Sequence, residues 1–208
     1  MAHPDDVDFF CAGTVVLMTR RGVTVDFVLA TSGDKGTREP GSSGAQLAAR
    51  REQEQLASAR LLGAERVEFL GGRDAELFDS LELRGALVRE IRRSRPDLLL
   101  TFDPTPGYRQ HPDHRVVGRV ALDAAWPCAR DPLSFPEAGT AHETAEAWLF
   151  GSPPTAPPPD LDVDVGEVLE LKIAARLEHV SQTWSPARLR ARWRRTAATE
   201  RFIRVDLR

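Results

Sequence analysis

Asp97-Leu98-Leu99-Leu100-Thr101-Phe102 and, after a short loop, His111-Pro112-Asp113-His114 decide the reading of this chain. The first stretch is a near-continuous apolar run, as expected of a strand covered on both faces within a parallel sheet. The second opens a helical pattern from Pro112 to Ala125, with the proline suited to a first helical turn. Strand, loop and helix in this order make a βα unit. In open α/β sheets the loops beyond the strand C-termini carry the chemistry.

The alternation continues outward in both directions. Val23 to Ala30, Arg66 to Leu70 (closed by Gly71-Gly72) and Ala147 to Phe150 have strand character. Helices are predicted over Gly13 to Arg21, Gln46 to Leu62, Leu81 to Arg93, Val168 to His179 and Pro186 to Thr199. Gly63 is placed as a C-cap. Leu83, Leu87, Val88 and Ile91 form one apolar stripe, and Leu169, Ile173 and Leu177 another. The proline-rich stretch from Gly151 to Pro159 reads as a stiff connector leading to Leu161–Val165. The fold class is α/β: a three-layer Rossmann-like sandwich with a mainly parallel sheet, one domain over 1–208.

Bulk properties narrow the function. The 208 residues carry a net charge of −3, with 41% hydrophobic and 28% charged residues, an ordinary globular composition. This balance gives no reason to expect a nucleic-acid partner. No apolar run approaches the ~20 residues of a membrane span, and no signal-peptide layout is present. The two cysteines, Cys11 and Cys128, are far apart, so a cytoplasmic, reducing setting is expected.

A second motif, Ala2-His3-Pro4-Asp5-Asp6, lies roughly a hundred residues before the first. Together the two gather three of the five histidines and three carboxylates. Two histidines and a carboxylate are a ligand set for a catalytic divalent metal, and three protein ligands leave a position open for water. Of the adjacent acids Asp5 and Asp6, one can bind a metal while the other stays free to take a proton from water. His111 and His114, at i and i+3, can divide between a ligand and a group facing a developing oxyanion. Asp113 is suited to orienting an imidazole.

At these residues the chain resembles the PIG-L/LmbE-like family of zinc-dependent N-acetylglucosaminyl deacetylases. AHPDD is matched by Ala2 to Asp6 and HPDH by His111 to His114. The likeness extends through Gly13-Thr14, Ala30 to Gly36, Arg51 to Glu54 with Leu61-Leu62-Gly63, Lys172, and His179 to Gln182. The resemblance implies an LmbE-like deacetylase fold and hydrolysis of an N-acetylglucosamine-type conjugate to acetate and an amino sugar. It implies His3, Asp6 and His114 as ligands of Zn2+ (or another divalent metal such as Fe2+). Asp5 is then the general base, His111 the group at the tetrahedral intermediate and Asp113 its orienting partner. Arg51 matches a family arginine that contacts the sugar, although residue type and position alone favour an exposed helix arginine. Asp34, in the loop after the first predicted strand, is expected at the mouth of the site, and Tyr108 is a candidate gate.

The family has an apolar strand before AHPDD. Here only Met1 precedes Ala2, so the first strand is expected to be missing, through a late start or a truncation. The first motif is accordingly expected to be weakly held. Two other readings stay open: an amidase acting on a non-sugar or thiol-conjugate substrate, and a catalytically idle metal- or sugar-binding relative. His179 is expected to be a packed histidine, His142 a solvated one and Cys11 a core residue. Arg188 to Arg195 is a basic run whose first reading is a solvated face and whose second is a homo-oligomer contact or an anionic substrate group.

Overall fold

Strand-helix alternation carries through the chain, and the computed structural model describes it over residues 1–37, 41–107, 110–183 and 185–208. Tyr108 lies outside the described residues. The structure divides into two units: Met1–Asp74 with Asp162–Arg201, and Ala75–Leu161 with Phe202–Arg208.

In the first unit, β1 (Asp26–Thr31) pairs in parallel with β2 (Arg66–Gly72), with a register shift between Leu29 and Thr31. Met1 and Ala2 continue the ladder on the other edge of β1. The Met1 amino group donates to the Val28 carbonyl, Ala30 N–H to Met1 O, and Thr31 N–H to Ala2 O. Thr31 Oγ1 donates to the same Ala2 carbonyl. Helices α1 (Asp6–Phe10) and α2 (Ala12–Thr19) follow at once. Only α2 was expected.

Helix α3 (Gly44–Leu62) begins two residues earlier than predicted, because Ser43 is its N-cap and accepts from Gln46 N–H. It ends at Gly63, which adopts the left-handed conformation predicted for it. Its buried face carries four polar residues, Arg51, Glu54, Gln55 and Ser58, followed by Ala59 and Leu62. Arg51 is buried, which corrects the bland expectation of an exposed helix arginine.

The C-terminal part of this unit holds α6 (Leu169–Glu178) and α7 (Pro186–Thr196). The predicted stripe on α6 is only partly right. Ile173 is fully buried, but Leu169 and Leu177 are intermediate, and the deepest positions include Lys172, Ala175 and Arg176, with His179 just beyond the helix. Lys172 Nζ lies 2.7 Å from Glu200 Oε1. Glu200 also receives the N–H groups of Gly13 and Thr14 at the start of α2. One carboxylate thereby satisfies a helix N-terminus and a buried ammonium together.

In the second unit, β3 (Leu98–Phe102) runs parallel to β4 (Glu146–Phe150), in register from Leu98↔Glu146 to Phe102↔Phe150. On the far side of β4 lies the antiparallel strand β6 (Thr199–Asp206), which the sequence reading does not contain; only its first residue, Thr199, falls at the end of the last predicted helix. The sheet order is β3-β4-β6-β5, where β5 is Leu161–Asp164.

Helices α4 (Leu81–Ser94) and α5 (Pro112–Asp123) belong to this unit. Arg92 of α4 is 4% exposed, and its guanidinium donates to the carbonyls of Cys128, Ala129, Asp131, Ser134, Phe135 and Gly139. It organises the irregular stretch that follows α5. His142, expected in solvent, is part-buried with Nε2 2.9 Å from the Pro96 carbonyl.

Helix α5 presses on β3 through Gly118. A Cβ there would stand 2.3 Å from the Phe102 carbonyl oxygen. Gly118→Ala is therefore expected to push α5 off β3 and destabilise the protein by about 1–3 kcal/mol. Urea unfolding would show this as a lower midpoint at unchanged slope.

Candidate metal centre

The first motif is shaped as a turn. Asp6 N–H reaches the His3 carbonyl at 3.3 Å, with Pro4 and Asp5 between them. Asp5 has φ 86° and ψ −13°. Those angles, with proline one position earlier, are those of a type II turn, whose third residue is ordinarily glycine. Asp6 Oδ2 accepts the N–H groups of Ala2 (3.0 Å) and His3 (2.7 Å), tying the turn to itself.

Helix α3 clamps the turn from outside. Gln55 Oε1 accepts Asp5 N–H at 3.0 Å. Arg51 donates to the carbonyls of Pro4 (2.6 Å) and Gly33 (3.1 Å). The expectation of a weakly held first motif is thus corrected: Ala2, His3 and Asp6 are buried and fastened by residues far along the chain.

The loop after β1 is built around this arginine. A Cβ on Gly33 would lie 2.1 Å from Arg51 Nη1, and one on Gly36 would lie 2.3 Å from it. Asp34 of the same loop accepts Asp74 N–H at 2.9 Å.

Charge is concentrated around the turn. His3 Nδ1 lies 3.7 Å from Asp6 Oδ2, and its Nε2 lies 3.2 Å from Asp74 Oδ1. Asp5 Oδ1 is 3.5 Å from Arg51 Nη2, and Asp5 Oδ2 is 3.6 Å from Arg176 Nη2. Burial, and then the neighbouring Asp6 charge, raise the Asp5 pKa to about 6, against the pull of Arg51, Arg176 and His179. Behind the turn, Asp8 accepts from Ser58 Oγ at 2.7 Å and pairs with His179 Nε2 at 2.9 Å. His179 is fully buried, as expected of a packed histidine.

In the second unit, His111 is the N-cap of α5. Its Nδ1 accepts Asp113 N–H at 3.2 Å, with Pro112 in the first turn. In the neutral ring the proton is therefore on Nε2. The Asp113 carboxylate is buried and accepts the N–H groups of Ala75 (2.7 Å) and Leu77 (3.3 Å), so it pins the loop after β2. The His114 ring stacks on Phe102, with centroids 3.8 Å apart and 13° between planes. The centroids of His111 and His114 are 5.3 Å apart.

These donors fit a divalent metal. Imidazole nitrogens and carboxylate oxygens are the set that holds zinc or iron(II), and His3 has carboxylates within 4 Å of both ring nitrogens. The sequence reading missed three contributors. Asp74 follows the end of β2, so the rule that placed both motifs beyond strand ends could have found it. Gln55 and Arg176 gave no such signal, since each lies inside a helix pattern.

Comparison with known proteins follows the same residues. A family model described as GlcNAc-PI de-N-acetylase (PIG-L) matches residues 1–125. The chain is 33% identical over 189 residues to a diacetylchitobiose deacetylase of Thermococcus kodakarensis, covering 86% of this chain and 67% of that one. It is 30% identical over 185 residues to a probable N-acetyl-alpha-D-glucosaminyl L-malate deacetylase 2 of Bacillus anthracis, covering 86% and 78%. The crystallised N,N'-diacetylchitobiose deacetylase of Pyrococcus horikoshii superposes with a TM-score of 0.86 at 30% identity, over 98% of this chain and 81% of that one.

Gly33→Ala would place a side chain at φ 65° and against the Arg51 guanidinium. The left-handed backbone and the overpacking together are expected to cost about 2–4 kcal/mol. Thermal unfolding of the purified variant checks this; an unchanged midpoint would rule out both the backbone strain and the clash with Arg51.

Proposed function

Since the chain belongs to the PIG-L (GlcNAc-PI de-N-acetylase) family and has the α/β fold of the LmbE-like deacetylases, we propose that it is a metal-dependent N-deacetylase of N-acetylglucosamine-type conjugates. The observation that carries the proposal is that both motifs are intact and each stands on a shaped backbone: a left-handed turn at Asp5 and a histidine-capped helix start at His111. The relatives named above act on acetylated amino sugars, which supports the substrate class.

In this reading His3, Asp6 and His114 hold the metal, with zinc proposed and iron(II) the alternative. When bound, a divalent metal polarises the acetyl carbonyl and acidifies water. Asp5 accepts the proton of the attacking water, and a base is most useful when its pKa lies near working pH. His111, with its proton on Nε2, donates a hydrogen bond to the oxyanion. Asp113 keeps the helix start and the Ala75–Leu77 loop in place. The proton taken by Asp5 returns to the departing nitrogen, releasing acetate and the amine.

Arg51, Asp34 and Tyr108 are the proposed sugar contacts. For Arg51 this role is secondary to holding the turn, since two of its donors already serve Pro4 and Gly33. Among the described residues no helix is long and apolar enough to cross a membrane, and both cysteines are free and buried. A cytoplasmic setting is proposed on that basis.

Asparagine tolerates the left-handed region as aspartate does, so Asp5→Asn should fold and keep its metal. Its hydrolysis should fall by about 10²–10⁴-fold, as expected on losing a general base. An amine-release screen over N-acetylated sugars, with metal analysis of each variant, tests this; full activity in metal-replete Asp5→Asn would remove Asp5 from the role. His3→Ala and His114→Ala should instead lose the metal itself.

A further inference from the structure

Three basic residues line the buried face of α6 and its end, and each meets a carboxylate. Lys172 and His179 touch theirs at hydrogen-bond distance, 2.7 Å to Glu200 and 2.9 Å to Asp8. Arg176 does not. Its Nη2 stays 3.6 Å from Asp5 Oδ2, and Asp5 is its one ion-pair partner among the described residues. On the other oxygen of the same carboxylate, Arg51 Nη2 stands off at 3.5 Å. Asp5 is thereby flanked by one guanidinium per oxygen, while neither oxygen accepts a hydrogen bond from a described residue.

We propose that Arg176 is a positioning residue for Asp5: with Arg51 it fixes the rotation of the carboxylate while leaving both oxygens open to receive a proton. Turning the carboxylate out of this orientation moves one oxygen away from its cation. The clamp works only if Arg176 is itself held in place, and three contacts hold it. Nη1 donates to Thr183 Oγ1 at 2.8 Å and Nη2 to the Gln182 carbonyl at 3.1 Å. Thr183 Oγ1 donates in turn to the His179 carbonyl. The guanidinium carbon lies 4.6 Å from the centroid of the Phe9 ring, a cation–π contact from the helix that Asp5 caps. Burying a guanidinium is costly unless its charge is used. Bonds to a hydroxyl and a carbonyl use its hydrogens but do not neutralise its charge; Asp5 does.

The inference rests on Asp5 being the general base, and the experiment separates the two. Steady-state kinetics would be measured on the N-acetylated sugar turned over fastest in the screen, with metal content and thermal midpoint determined for every variant. The variants are Asp5→Asn, Arg176→Leu, Arg176→Lys, Phe9→Leu and the double variant Asp5→Asn/Arg176→Leu. Arg176→Leu should lower kcat tenfold or more, since a misplaced catalytic group can cost about 10²-fold, with KM within twofold and metal content unchanged. Arg176→Lys should recover part of the loss. Phe9→Leu, which removes the ring over Arg176 together with its edge contact to Trp193, should lower kcat by a smaller factor. In the Asp5→Asn background, Arg176→Leu should have no further effect. An unchanged kcat in folded, metal-replete Arg176→Leu overturns the proposal, and so does an equal loss in both backgrounds. If Arg176→Leu does not fold, an unchanged kcat in both Arg176→Lys and Phe9→Leu overturns it. Full activity in Asp5→Asn would instead overturn the base assignment.

Discussion

A carboxylate taken out of water needs a cation, and the first unit is arranged around that need. Asp5 and Glu200 are met by Arg176 and Lys172, and Asp8 by the ring nitrogen of His179, all from α6 or its end. Breaking such a buried pair typically costs about 3–5 kcal/mol, because the remaining charge has nowhere to go. The N-terminal motif therefore cannot be formed by its own residues. It depends on a helix more than 160 residues later, and the motif and α6 must fold as one cooperative body. The same dependence explains why the first motif is securely held.

The turn at His3 to Asp6 departs from local backbone preference. Glycine would relax its third position, since a non-glycine residue there bears a backbone cost of order 1 kcal/mol. Asp5 holds that position, and Gln55 and Arg51 enforce it by binding the N–H and the carbonyl of the one peptide group between Pro4 and Asp5. Helix α3 contributes these residues at i and i+4, so one helical face both seats the turn and supplies a cation. Gly33 and Gly36 make room for that cation. The glycine-rich loop after β1 is thus a cradle for a side chain of the protein itself.

Much of this was legible in the sequence. The strand at β3, the proline-led start of α5 and the glycine stop of α3 carry strong local signals, and the structure places each within a residue or two. The paired motifs named the chemistry. Less visible was anything that depends on buried charge. On α6 the periodicity was read as an apolar stripe at Leu169, Ile173 and Leu177, whereas the deepest face bears Lys172 and Arg176, because hydropathy scores a paired ion as solvent-facing. Arg51 looked exposed for the same reason. β6 carries no assignment in the sequence reading beyond Thr199, and the last predicted helix runs on to that residue because the break at Ala197-Ala198 contains no glycine or proline. Asp74 was overlooked because it belongs to no motif.

Arg92 has a consequence of a different kind. It grips Cys128, Ala129, Asp131, Ser134, Phe135 and Gly139 only by their carbonyl oxygens. Every residue has that atom, so the grip is blind to side-chain identity. Leu133 and Trp126, which stand exposed in this stretch, are free to be exchanged without loosening it. One arginine thus uncouples the shape of the segment from its surface chemistry. Evolution can rewrite the face the segment presents while the chain path beneath stays the same.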